Sequence, residues 1–178
     1  MSVTDPCWVF YSIVRLLAKK LYMNTVVVCH FALQTNFRIP RMLDHMTFRV
    51  TDISRAKAFY SAALAPLGYS VCFEGNYGSN MLGLAYPDAS EPDGKKADVW
   101  FIDGPSPYDG PTATSGCHLA WRAKNRAQVD AFYKAAIAAG GKDNGVPGLR
   151  PDYHANYYGA FVIDPEGNNI EAVCHSPE

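Results

Sequence analysis

One segment of this chain is written twice. HMTFRVTDISRAKAFYSAALAPLG (His45 to Gly68) lies over HLAWRAKNRAQVDAFYKAAIAAGG (His118 to Gly141) without a gap. The two copies share His45/His118, Arg49/Arg122, Ala58/Ala131, Phe59/Phe132, Tyr60/Tyr133, Ala62/Ala135, Ala63/Ala136, Ala65/Ala138 and Gly68/Gly141. A repeat constrains the fold strongly, because whatever one copy forms the other must form as well. The offset is 73 residues (118 minus 45). A unit of that size cannot bury both faces of a small sheet, whereas two units related by pseudo-symmetry can close around a shared cleft.

Two periodicities alternate within each copy. In LDHMTFRVTD, Met46, Phe48 and Val50 share one face and His45, Thr47 and Arg49 the other, which is the mark of a half-buried strand. Ala58, Phe59, Ala62 and Ala63 then follow helical spacing, with Asp52 or Ser54 as cap and Gly68 as stop. YSVCFEG, NMLGLAY and ADVWFID read as three further strands. The order restarts at CHLAWRA, followed by a helix from about Asn125 to Ala139 and a loop-rich GKDNGVPGLRPDYHAN. YYGAFVID and NIEAVCH are two strands joined at Asp164-Pro165-Glu166-Gly167, a type I turn pattern. The expected class is α+β, built from paired βαβββ modules: module 1 at about 42–104, a Pro/Gly-rich linker at 105–115, and module 2 at about 116–176.

Composition narrows the function classes. With 48% apolar and 13% aromatic residues the body is globular, and a net charge of -1 offers no attraction for nucleic acid. The five cysteines (Cys7, Cys29, Cys72, Cys117, Cys174) are odd in number and contain no Cys-x-x-Cys pair, so free thiols in the reducing cytoplasm are expected. Residues 1–41 are apolar but interrupted by Arg15, Lys19 and Lys20, which argues against a membrane span. They lack the order of a secretory signal and are expected to form a peripheral or loosely ordered extension to a domain at 42–178.

Alternation also places the polar residues. His45 and His118 face away from the helices, and so does Glu171 in the closing strand, where Ile170, Ala172 and Cys174 form the apolar face. Two imidazoles and a carboxylate with open positions form a ligand set for divalent Zn, Ni, Fe or Mn. The 73-residue overlay lays Asp98 on Glu171, which makes Asp98 a fourth candidate ligand and a candidate mobile base. Arg49 and Arg122 are candidates to bind an anionic substrate. Trp100, on the face of Asp98, is a candidate aromatic wall, and Arg150, Tyr153, His154 and Tyr157 crowd a loop that precedes the Glu171 strands.

LDHMTFRVTDISRAKAFYSAALAPLGY, GCHLAWRA and especially YYGAFVIDPEGNNIEAV resemble the vicinal oxygen chelate superfamily, which includes glyoxalase I, fosfomycin-resistance thiol transferases, bleomycin-binding proteins and extradiol dioxygenases. The resemblance covers about residues 42–175. It implies an open, cup-shaped eight-stranded sheet with a divalent metal at its centre, held by His45, His118 and Glu171 with Asp98 at the remaining position. Glyoxalase I carries Glu where Asp98 stands, which favours three ligands. The implied activity is that of a metal-dependent glyoxalase-like lyase or isomerase acting on a small oxygenated substrate such as a thiol adduct, with Glu171 or Asp98 moving the proton. An extradiol dioxygenase is the alternative, although its signature Tyr is replaced here by Phe161. A metal-free drug-binding protein of the bleomycin-resistance kind is the third, and the retained ligands argue against it. A homodimer is a further expectation from the resemblance.

Overall fold

The computed structural model describes residues 43–88, 91, 93–108 and 110–177, and the expectations for residues 1–41 lie outside them. Module 1 comprises β1 (Met46–Arg49), α1 (Ile53–Leu64), β2 (Ser70–Asn76), β3 (Asn80–Pro87) and β4 (Lys95–Ile102). Module 2 repeats the order as β5 (His118–Arg122), α2 (Arg126–Ala138), β6 (Lys142–Leu149), β7 (Tyr158–Ile163) and β8 (Asn169–Cys174). Each module makes one four-stranded mixed sheet, ordered β1-β4-β3-β2 and β5-β8-β7-β6. In both, the first strand runs parallel to the last, and the other pairings are antiparallel. The helix is the crossover such a parallel pairing requires. Among the described residues the result is an α+β fold of two four-stranded sheets, each with one crossover α-helix.

Local chemistry sets the helix starts. The Asp52 carboxylate accepts the N–H groups of Ser54 and Arg55, and the Asn125 side chain accepts that of Gln128. Buried positions then recur at helical spacing: Ala56, Phe59, Tyr60, Ala63 and Leu64 in α1, and Val129, Phe132 and Ala136 in α2. Phe59 and Phe132, a repeat pair, are fully buried. Truncating either to Ala should cost about 3–5 kcal/mol. The two helices pack on each other, and Gly141 lets Phe59 close in: a Cβ there would lie 2.9 Å from Phe59 Cε2 and 2.4 Å from Val162 Cγ1.

The stretch expected to be loop after α2 instead forms β6. It is an edge strand whose outer side needs no ladder partners, so Pro147 and its flanking glycines are tolerated.

The Asp-Pro-Glu-Gly-Asn turn does more than reverse the chain. Gly167 N–H bonds the Asp164 carbonyl at 3.1 Å, closing the expected turn, and Gly167 takes φ 91°, which favours glycine. Buried Asp164 accepts the Glu166 and Asn168 N–H groups on Oδ1, and the Asn168 amide and Tyr60 hydroxyl (2.6 Å) on Oδ2. Asn168 also donates to the Thr114 carbonyl and accepts Cys117 N–H. Glu166 Oε1 accepts from the Thr51 amide and hydroxyl and from Arg55. One turn of module 2 thereby clasps α1 of module 1 and the linker. Burial, and after it Asp164, pushes the Tyr60 hydroxyl pKa far up, so it stays a donor. Among the described residues no helix is long and apolar enough to cross a membrane.

Candidate functional site

The ladders define a row of residues across each sheet, on the face opposite the helices. In module 2 the row reads Ala120, Glu171, Phe161, Gly145. In module 1 it reads Thr47, Trp100, Gly83, Phe73. Thr47 and Ala120 are repeat-equivalent, so Trp100, and not Asp98, occupies the counterpart position of Glu171. Asp98 sits where the β3–β4 register shifts between Leu84 and Ala85, and its Oδ2 accepts the Tyr69 hydroxyl at 3.0 Å.

Glu171 is the centre of the module 2 face. It is only 1% exposed, a burial that a carboxylate tolerates only with close partners. The Tyr157 hydroxyl donates to Oε1 at 2.5 Å, and His118 Nε2 lies 3.2 Å from Oε2. Gly159 makes the space, since a Cβ there would lie 2.9 Å from Glu171 Oε1 and 3.1 Å from Tyr157 Cε1. Burial first, then the bond to Glu171, raises the Tyr157 pKa, so this phenol remains protonated and donating. Tyr157 is held edge-on by Tyr153, His154 and His175, and the last two bond each other at 2.9 Å between Nε2 and Nδ1.

Other expected residues are placed as follows. His45 is exposed and bonds Asp44 at 2.7 Å, and Asp44 also pairs with Lys96. Hydrogen bonds from His45 and Lys96 hold the Asp44 carboxyl below its usual range. Arg49 directs Nη2 at the carbonyls of Asp103, Gly104 and Pro105, fastening the start of the linker. Arg122 is exposed. Arg150 bonds the Val146 carbonyl at 2.7 Å and covers the Phe161 ring, which stacks in turn on His118. The sequence reading passed over His175 and Gly159. Strand alternation from Glu171 through Val173 reaches His175, and a glycine inside a strand run flags a close approach.

An imidazole and a carboxylate fit a divalent transition metal, and donors 3.2 Å apart can share an ion at about 2.0–2.2 Å from each. They are two donors of an unfinished set. Among the described residues no group of three or more His, Cys, Asp or Glu side chains could hold a metal ion. Within one chain, then, His45 and Asp98 do not join His118 and Glu171.

Residues 42–172 match the model of the Glyoxalase/Bleomycin resistance protein/Dioxygenase superfamily, and the chain belongs to that superfamily. Among solved structures it is similar to a glyoxalase/bleomycin resistance protein from Albidiferax ferrireducens T118, with 29% identity and a TM-score of 0.57 over 76% of this chain and 100% of that one. A V278E glyoxalase I mutant from Zea mays is 25% identical with a TM-score of 0.53, over 76% of this chain but 47% of the maize chain. A glyoxalase/bleomycin resistance protein/dioxygenase family enzyme from Burkholderia phytofirmans PsJN is 21% identical with a TM-score of 0.51, over 75% of this chain and 98% of that one. No curated protein sequence matches the chain.

Proposed function

We propose that the protein is a metal-dependent enzyme of the glyoxalase kind, which moves a proton between adjacent carbons of a small oxygenated substrate such as a thiol adduct. The observation that carries this is the buried Glu171 carboxylate, held by the Tyr157 hydroxyl on one oxygen and approached by His118 on the other. His118 and Glu171 would hold a Zn, Ni, Fe or Mn ion, and when bound that ion supplies Lewis acidity to two neighbouring substrate oxygens. Glu171 is the mobile base: it takes the proton from the carbon that bears the hydroxyl and returns it to the neighbouring carbonyl carbon, while the hydroxyl proton passes to the former carbonyl oxygen, so the step is an isomerisation with no net gain or loss of atoms. Tyr157 keeps Oε1 occupied, which leaves Oε2, beside His118, as the oxygen available to an ion or a proton.

The third ligand is proposed to be His45 of a second copy. β1 and β5 are edge strands of their sheets, and His45 and His118 open the two edges at repeat-equivalent positions. A two-fold dimer laying β1 of one copy beside β5 of the other would close two eight-stranded cups at once. The described cysteines are free thiols, which supports a cytoplasmic setting.

Isomerisation of the methylglyoxal–glutathione adduct by metal-loaded protein tests the activity. Ring opening of catechol with Fe(II) would instead mark the dioxygenase alternative. Activity in neither assay, with tight binding of an aromatic or glycopeptide ligand, would mark a binding protein.

A further inference from the structure

We infer that Asn144 is a site of spontaneous covalent modification, which the folded chain converts to aspartate and isoaspartate by attack of its own backbone. No other asparagine in the sequence is followed by glycine. Gly145 sets no side chain over its own nitrogen, which leaves that nitrogen open to the side chain before it. The reaction uses neither His118 nor Glu171.

The fold supplies both room and a base. β6 is an edge strand, and its register with β7 shifts between Asp143 and Gly145, so Asn144 is the unpaired residue of a bulge. Asn144 is exposed, and Gly145 beside it takes φ 151°, which favours glycine. The Gly145 N–H donates to Asp143 Oδ1 at 2.8 Å. That N–H carries the proton whose removal makes the nitrogen a nucleophile. The Asn144 amide donates to Asn169 Oδ1 at 3.0 Å, which orients the group that must leave.

The steps balance with water as the one co-reactant. Asp143 takes the proton from the Gly145 nitrogen, and the nitrogen attacks Asn144 Cγ. The new N–Cγ bond closes a cyclic imide. Cγ–Nδ2 breaks, and Nδ2 leaves as ammonia with the proton that Asp143 carried. Water then adds to either imide carbonyl and reopens the ring. One opening leaves aspartate at 144, and the other leaves isoaspartate, whose main chain is one carbon longer. Both products set a new carboxylate close to Asp143. The isoaspartyl form is also crowded, because Gly145 lies opposite Phe161, where even a Cβ would stand 2.9 Å from Cδ2.

Ageing the full chain at mildly alkaline pH, followed by peptide-resolved mass spectrometry, tests this. Asn144 should gain the mass difference between an amide and an acid ahead of every other asparagine. An isoaspartate methyltransferase should label the same peptide. Asp143→Asn keeps an acceptor for the Gly145 N–H but removes the base, and should slow the folded chain about 100-fold, the low end for a positioned general base. With both proteins unfolded in guanidinium the rates should match, because the contact needs the bulge. An Asn144 that survives as long as the other asparagines would overturn the site, and so would equal rates for folded wild type and folded Asp143→Asn. Isoaspartyl product isolated by ion exchange should unfold at lower urea than its parent. An unchanged midpoint would contradict the crowding against Phe161.

Discussion

Module 1 and module 2 share a repeated segment, a topology and a side-chain cap at the helix start, yet they differ at the centre of their open faces. Where module 2 buries Glu171 beside His118 and Tyr157, module 1 lays Trp100 over Gly83. The helix side diverges as well. Tyr60 is 1% exposed and bonds Asp164 of the other module, while its repeat partner Tyr133 is only partly buried. Duplication therefore preserved the framework and divided the work. One half buries a carboxylate beside an imidazole and a phenol, and the other presents aromatic rings and receives the clasp.

The contrast breaks most visibly at Glu171. Glu171→Ala should lower metal affinity more than 100-fold, since changes merely behind a ligand already cost about 10–100-fold; metal content after dialysis reads this. Trp100→Ala, at the matching row position, should leave metal content unaltered. Equal losses in both variants would erase the division of labour.

The clasp comes next in size. Asp164→Ala leaves the Tyr60 hydroxyl and the Asn168 amide short of a buried acceptor, and should destabilise by about 2–4 kcal/mol in urea unfolding. Tyr60→Phe should cost about 1–2 kcal/mol and Tyr133→Phe less than about 0.5 kcal/mol. Equal costs at the two tyrosines would mean that the repeat kept its function on the helix side.

The smallest effect is a pH dependence at Glu166. Burial raises its pKa, but the Thr51 hydrogen bonds and Arg55 outweigh that and hold the carboxyl below its ordinary value of 4.5. A depressed carboxyl stabilises the fold at pH above its unfolded value, and that contribution fades as pH falls through the lower folded value. Glu166→Gln should thus cost less than about 1 kcal/mol near neutrality. The gap from wild type should close on acidification, as followed by denaturant midpoints from pH 7 down to the acid limb.

Much of the framework was legible beforehand, because period-2 strands, capped helices and turn chemistry are local. The ungapped repeat gave the order of elements, and alternation put Glu171 and His118 on one face. The β4 register was not local. The β6–β7 connection runs from 150 to 157 against 77 to 79 for β2–β3, while the β3–β4 connection, 88 to 94, is longer than the 164 to 168 turn of module 2. Counted along the register, Gly83 to Trp100 spans 17 residues (100 minus 83) against 10 from Phe161 to Glu171 (171 minus 161), and the longer β6–β7 connection makes up only five of those seven, so the ungapped overlay ends two residues out and sets Asp98 where Trp100 stands. The role of Asp164 and Asn168 was hidden for a similar reason. A turn motif announces its own geometry, but its side-chain partners Tyr60, Thr114 and Cys117 are distant in sequence. β6 was masked by Pro147 and glycines that only an edge strand accepts.

The proposed site holds one ion between His118 and Glu171 of one copy and His45 of another. Metal content of purified, chelator-free protein should be about one divalent ion per chain, and near zero in His45→Ala and in His118→Ala. Unfolding these two variants together and refolding them as a mixture should restore about a quarter of the wild-type metal, because half the dimers then carry one intact site of two. A mixture that binds no more than its separate components would contradict the shared site.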